Sequence, residues 1–334
     1  MARKAILIIA DDKQFPPAVF LASRLAQLKG GRDVDIVLAS DSAKAVNEAR
    51  AFGVPCELLE IGNLYDDLDL PATSYFTRAT YYSLFVPRLL QEKYDRLLYV
   101  DVDTYPESDR VFALFDLEMD GYAIGAVRDL HIPFVPMPWN SEELLDTLKI
   151  APEQRLGAKY LNSGVLLIGL EAFRTQRIEK QALRLIRDRR VELRWPDQTV
   201  FNAVLRMRWL ELSPAFNMVT RAWASFIRDY LPPAIVHFTG PVKPWHRAFV
   251  DDHPVRRELA AFLARSPWAT FIADINPPPQ LISVSDLPPP PGPQKPVWYG
   301  APLDALVRYL RDTPFADVVQ GITVPNPAAL PRTA

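Results

Sequence analysis

The first 61 residues alternate buried strand with amphipathic helix, and that rhythm restricts the chain to sheets covered by helices. Ala5–Ala10 reads as a buried strand. Val19, Phe20, Leu21, Leu25 and Leu28 place Pro17–Leu28 on a helix, which Gly30-Gly31 ends. Val34–Ala39 is a second strand, Ser42–Ala51 a helix followed by Gly53, and Cys56–Ile61 a third strand. The β-α-β-α-β order predicts an α/β fold built on a parallel sheet with helices on its faces.

The pattern continues less regularly. Thr77–Glu92 reads as a helix interrupted near Pro87, and Arg96–Val100 is a strongly apolar strand that runs into Asp101-Val102-Asp103. Tyr122–Val127 and Leu161–Ile168 are further strands, with a proline-broken loop at 131–139 and a short helix at 141–150 between them. Thr175–Arg190 is an arginine-rich helix, Val200–Leu210 is mostly helical, Trp209–Leu212 passes into a strand, and Ile235–Phe238 is a short strand. Residues 277–296 then hold nine prolines, a composition that favours extended polyproline II and builds no core. The organisation expected is a globular domain over 1–274 and a proline-rich tail over 275–334, with one short amphipathic helix at 303–311.

Composition narrows the function. A chain of 334 residues with 49% hydrophobic residues can bury a full core, and its single cysteine, Cys56, excludes a disulfide framework. The formal net charge of −2 argues against a nucleic-acid binder. No apolar run approaches the length of a bilayer span, and two aspartates follow the N-terminal apolar run, so the expectation is a cytoplasmic protein. None of the 13 glycines forms a dinucleotide fingerprint, a P-loop or a nucleophile elbow.

The residues that remain suggest metal and phosphate chemistry. Asp101 and Asp103 stand two apart at the end of a strand, so they face one side and can share a hard divalent cation. A polar turn is the alternative, with about equal weight for a motif this short. The stretch His237–Trp245 adds an imidazole and, six residues on, a lysine suited to phosphate. Asn162 and Ser163 are turn formers or pocket donors, Asp197-Gln198 is a helix cap or a pocket pair, and Ala10-Asp11-Asp12 is a turn or a nucleotide contact.

Taken in order, Ile8–Asp12, Arg78–Tyr82, Leu98–Asp103, Tyr160–Ile168, Asp197-Gln198 and the His-x-x-Gly-x-x-Lys-Pro-Trp stretch resemble the family-8 glycosyltransferases of bacteria. That group includes lipopolysaccharide galactosyl- and glucosyltransferases and glycogenin-like enzymes. The resemblance spans about Ala5 to Trp245 and implies a GT-A fold, a mixed, mostly parallel sheet flanked by helices. It also implies a UDP-sugar donor, Mn²⁺ or alternatively Mg²⁺, and retention of anomeric configuration. By the same resemblance Asp101, Asp103 and His237 would bind the metal, Gly240 and Lys243 the diphosphate, and Ala10 and Asp11 the uracil. Asn162 and Asp129 would lie near the transferred sugar, and Asp197 and Gln198 on its reacting face. Asp12, Arg78, Val102 and Ser163 complete the donor-binding set.

One position departs from the pattern: Ser83 stands where the family usually has an arginine. Arg78 would lie about 140° away from it on an ideal helix and is a poor substitute.

The partners implied are the nucleotide-sugar donor and a saccharide, lipid-linked or protein acceptor, with no nucleic acid. Self-association is a further partner reading. So is weak contact with an anionic membrane through Arg174, Arg177, Lys180, Arg184, Arg187, Arg189 and Arg190, although a solvated face is about twice as plausible for such a charge run. Two rival functions remain: a nucleotidyltransferase, and a non-catalytic nucleotide-sugar-binding protein.

Overall fold

In a computed structural model, the residues described are 2–31, 33–62, 66–70, 77–129, 159–188, 195–220, 231–240, 242–249 and 253–271. The loop and helix expected over 131–150 and the tail over 275–334, with its helix at 303–311, lie outside them.

Seven strands form the central sheet: β1 (Lys4–Ile9), β2 (Val34–Ser40), β3 (Glu57–Glu60), β4 (Arg96–Val100), β6 (Ile124–Arg128), β7 (Leu161–Gly169) and β8 (Leu210–Leu212). Their order is β3-β2-β1-β4-β7-β6-β8. β1, β2, β3 and β4 run parallel, as do β6 and β8, while β7 lies antiparallel to both β4 and β6. A second sheet of three short strands joins β5 (Thr104–Pro106), β10 (Ile235–His237) and β9 (Met218–Val219).

Both faces of the large sheet are buried, and β1 shows why its sequence is continuously apolar. Ile6, Ile8 and Ala10 join one core, while Ala5, Leu7 and Ile9 join the other. The first core is covered by α1 (Phe15–Gln27), α2 (Ala43–Phe52) and α7 (Val255–Leu263). The second is covered by α3 (Val86–Leu90), α4 (Leu170–Thr175), α5 (Ile178–Arg187) and α6 (Pro196–Leu205). The ends of α2 follow from local chemistry: the Ser42 side chain accepts the Ala45 N–H, and Gly53 closes the helix at φ 76°, a left-handed conformation natural to glycine.

Two helices differ from the sequence reading. Arg78–Leu84 is a 3₁₀ helix, and a short α3 with Pro87 in its first turn follows it. At three residues per turn, Arg78 and Ser83 stand about 120° apart, still on different faces. The arginine-rich helix is broken: α4 ends at Thr175, Arg177 adopts φ 56°, and α5 begins at Ile178. The break turns Ile178, Ala182 and Ile186 into the core and leaves Arg174, Arg177, Lys180, Arg184 and Arg187 outside. Arg184 pairs with Asp188 at 3.7 Å, and Arg88 with Glu179 at 2.9 Å.

For the site, the important place lies between β1 and β4. The chain leaves β1 toward β2 on one side and reaches β4 on the other, so a crevice opens outside the carboxyl ends of these strands. Their register pairs Ile8 with Val100, which puts Ala10–Asp12 and Asp101–Asp103 on opposite sides of that crevice.

Candidate active site

The Asp101–Asp103 turn is built by β4 and held by three neighbours. Asp101 donates its N–H to Gly164 O at 2.8 Å, which ties the turn to β7. Thr104 donates its N–H (3.0 Å) and its hydroxyl (2.7 Å) to Asp101 O, which closes the turn. β10 then pairs with β5 so that His237 opposes Thr104, and Phe238 donates its N–H to Asp103 O at 2.9 Å. This short sheet carries His237 to the two aspartates.

His237 Nε2 lies 3.2 Å from Asp103 Oδ1 and 3.8 Å from Asp101 Oδ2. One ligand atom from each of the three residues falls within 4.8 Å of the others, among the described residues the one such group of metal-ligating side chains. Two carboxylate oxygens with one imidazole suit Mn²⁺ or Mg²⁺ rather than a thiophilic ion. The cradle is shaped for the imidazole: a Cβ on Gly164 would lie 2.2 Å from His237 Cε1. Lys243 Nζ donates to Asp103 Oδ2 and, at 3.0 Å, to Phe238 O. Gly240, at φ 97°, turns the loop between His237 and Lys243.

Electrostatics separates the two aspartates. Burial and the neighbouring Asp103 carboxylate push Asp101 up to about 6, although the Tyr99 hydroxyl donates to its Oδ1 at 2.5 Å. Burial also works against an ionised Asp103, but Lys243 and His237 outweigh it and hold this carboxyl below the usual range. Burial opposes a charged His237, yet Asp103 and Asp101 raise its pKa. Two carboxylates thus face an imidazole and an ammonium group.

A second group lies deeper. Asp129, Asn162, Ser163, Asp197 and Gln198 are all buried polar residues. Gln198 Nε2 donates to Asp129 Oδ2 at 3.0 Å, its Oε1 accepts the Ser163 N–H at 3.2 Å, and Asn162 Nδ2 reaches Asp129 Oδ2 at 3.4 Å. Asp197 is pushed up to about 7 by burial and then by Asp101, and it accepts the Ser83 hydroxyl at 3.2 Å. Asp197 and Gln198 occupy the first turn of α6, but Trp195 is its N-cap and makes no side-chain cap bond, so neither residue is the cap itself.

The remaining sequence candidates are engaged locally. Ala10 donates its N–H to Ala39 O at 3.0 Å, Asp11 Oδ1 accepts the Gln14 N–H at 3.0 Å, and Asp12 Oδ1 accepts the Ser42 hydroxyl at 2.8 Å. Val102 is buried within the turn. Arg78 pairs with Asp66 at 3.3 Å.

Three residues of this network escape the sequence reading as site residues: Tyr99, Ser83 and Asn217. Asn217 is buried and bonds His237 Nδ1 through Oδ1 at 2.8 Å and Asn162 Oδ1 through Nδ2 at 2.8 Å. Its signal is an amide standing alone among Ala215, Phe216, Met218 and Val219, all of them buried.

Comparison with known proteins follows the same outline. Residues 29–248 match the family described as Glycosyl transferase family 8. The chain is 29% identical over 273 residues to General stress protein A of Bacillus subtilis, covering 75% of this chain and 88% of that one. It is 28% identical over 209 residues to lipopolysaccharide 1,2-glucosyltransferase of Escherichia coli, covering 60% of this chain and 58% of the relative. Among solved structures, the galactosyltransferase LgtC in complex with donor and acceptor sugar analogues superposes with a TM-score of 0.64 and 21% identity. That superposition covers 80% of this chain and 98% of LgtC.

Proposed function

The chain belongs to glycosyl transferase family 8, and on that premise we propose that it moves a hexose, glucose or galactose, from a UDP-sugar to an acceptor hydroxyl with retention, dependent on Mn²⁺. It is a glycosyltransferase with the GT-A fold, which argues against the nucleotidyltransferase. Among the described residues no helix is long and apolar enough to cross a membrane.

The observation that carries the reading is the Asp101–Asp103–His237 cluster with Lys243 beside it, at the mouth of the crevice between β1 and β4. A divalent ion bound there would supply positive charge for a diphosphate leaving group, so no proton donor to it would be needed. Lys243 is the protein's own cation for the same oxygens once the donor displaces it from Asp103. Asp101, Asp103 and His237 would hold the ion, and Gly240, at φ 97°, would let the loop approach the diphosphate closely. Ala10, Asp11 and Asp12 flank the crevice on the uracil side. Asp129 and Asn162 bond the sugar, and Asp197 and Gln198 border its reacting carbon.

The test is a panel of UDP-sugars incubated with Mn²⁺ and no acceptor. Release of UDP from UDP-glucose or UDP-galactose is the expected result. Release from neither, with nucleotide transfer instead, would overturn the assignment.

A further inference from the structure

We propose that Asn217 is a positioning residue that fixes the tautomer of His237 and joins the metal cluster to the sugar-facing amides in one hydrogen-bonded relay. The direction of that relay follows from a single backbone group. Gly164 N–H can only donate, and it points at Asn162 Oδ1 at 3.0 Å. That assigns the Asn162 oxygen, and its Nδ2 therefore faces the Asp129 carboxylate. The same Asn162 Oδ1 needs a donor at its second contact, which makes the Asn217 atom 2.8 Å away its Nδ2. Asn217 Oδ1 is then left for His237 Nδ1, also at 2.8 Å, so Nδ1 must carry the proton. Nε2, the nitrogen facing Asp101 and Asp103, is the one left to bind metal.

The far end of the chain is equally constrained. Ser163 N–H donates to Gln198 Oε1, which assigns Gln198 Nε2 to Asp129. From His237 to Gln198 every amide has one permitted orientation, and the anchors are the backbone N–H groups of two successive residues of β7, Ser163 and Gly164. Reversing Asn217 would set its oxygen against Asn162 Oδ1 and its NH₂ against the Nδ1 proton. Asn217, Asn162, Asp129, Gln198 and His237 are all buried, so water cannot make good a reversed bond. Asn217 bonds one residue of the metal cluster, His237, and one sugar-facing amide, Asn162. Its part is to present His237 and to hold Asn162 against Asp129.

The functional consequence rests on the metal-dependent reading above, but the tautomer does not. The primary measurement is therefore ¹⁵N imidazole NMR of the chelator-stripped protein at alkaline pH, where the ring is neutral, with His237 picked out from the four histidines by substitution. The relay predicts an Nδ1–H ring in the parent. An Nε2–H ring, bonded to Asp103 instead, would overturn it whether or not any metal binds.

Mn²⁺ titration supplies the second measurement. Asn217→Ala should weaken Mn²⁺ binding about 10- to 100-fold. Asn217→Asp keeps an acceptor for Nδ1–H, so it should restore Mn²⁺ affinity to at least the parent value. It puts a carboxylate oxygen against Asn162 Oδ1, so turnover should still fall. If the two variants lose Mn²⁺ affinity equally, an acceptor for Nδ1–H at position 217 does not support metal binding and the relay is wrong. Should the parent show the Nδ1–H ring yet bind no Mn²⁺, the relay stands and the metal-dependent function fails.

Discussion

Gly164 lies against the face of His237: a Cβ built on Gly164 would stand 2.2 Å from Cε1 and 2.6 Å from Nδ1 of the imidazole. No rotation of a buried ring relieves contacts that short, because the Asn217 bond fixes one side of it. The glycine in Asn162-Ser163-Gly164 is therefore part of the candidate metal site, although it offers no ligand.

Gly164→Ala should displace His237, weaken Mn²⁺ binding by at least tenfold and cost about 1–3 kcal/mol of stability through overpacking. Isothermal titration and thermal unfolding check both. Gly125→Ala is the comparison, since its added Cβ meets nothing closer than 3.4 Å and should disturb metal binding little. Equal effects from the two substitutions would refute the specific role of Gly164.

The second prediction concerns pH. Asp197 is raised from 3.8 to about 7, by burial first and Asp101 second. Between those values the native state keeps a proton that the unfolded chain has released. Stability from this group therefore falls as pH rises through the window. Asp197→Asn removes that slope. Relative to the parent in excess chelator, the variant should look better at pH 8 than at pH 5 by thermal unfolding. The same offset at both pH values would contradict the assignment.

Gln198 is held at both ends of its amide, by Ser163 N–H and the Asp129 carboxylate. Gln198→Ala should leave UDP affinity within a few-fold and lower turnover at least about a hundredfold, the scale of one lost transition-state contact. Steady-state kinetics beside UDP titration separates the two, and unchanged turnover would reduce Gln198 to a structural amide.

What could be read from sequence follows periodicity and proximity along the chain. β1 and β4 are legible because each is a run of apolar residues, and Asp101 and Asp103 because they end such a run. β5, β9 and α7 went unread: strands of two or three residues carry no period, and β5 pairs with β10 only through contacts more than 100 residues apart. The 3₁₀ turn at Arg78–Leu84 has the composition of an α-helix, and only tertiary packing distinguishes it. Ser83 was read as a missing arginine, whereas the fold uses its hydroxyl on Asp197. Asn217 was missed because an isolated asparagine gains meaning only when His237 and Asn162 arrive from other strands.

The central claim is that Asp101, Asp103 and His237 hold a divalent ion on which sugar transfer depends. The most direct measurement is UDP release from the best UDP-hexose with added Mn²⁺, in excess chelator, and for Asp103→Ala, with circular dichroism to confirm that the variant is folded. Mn²⁺-dependent release by the parent, lost in chelator and absent from a folded Asp103→Ala, is the predicted result. Full release in excess chelator, or from folded Asp103→Ala, would contradict it.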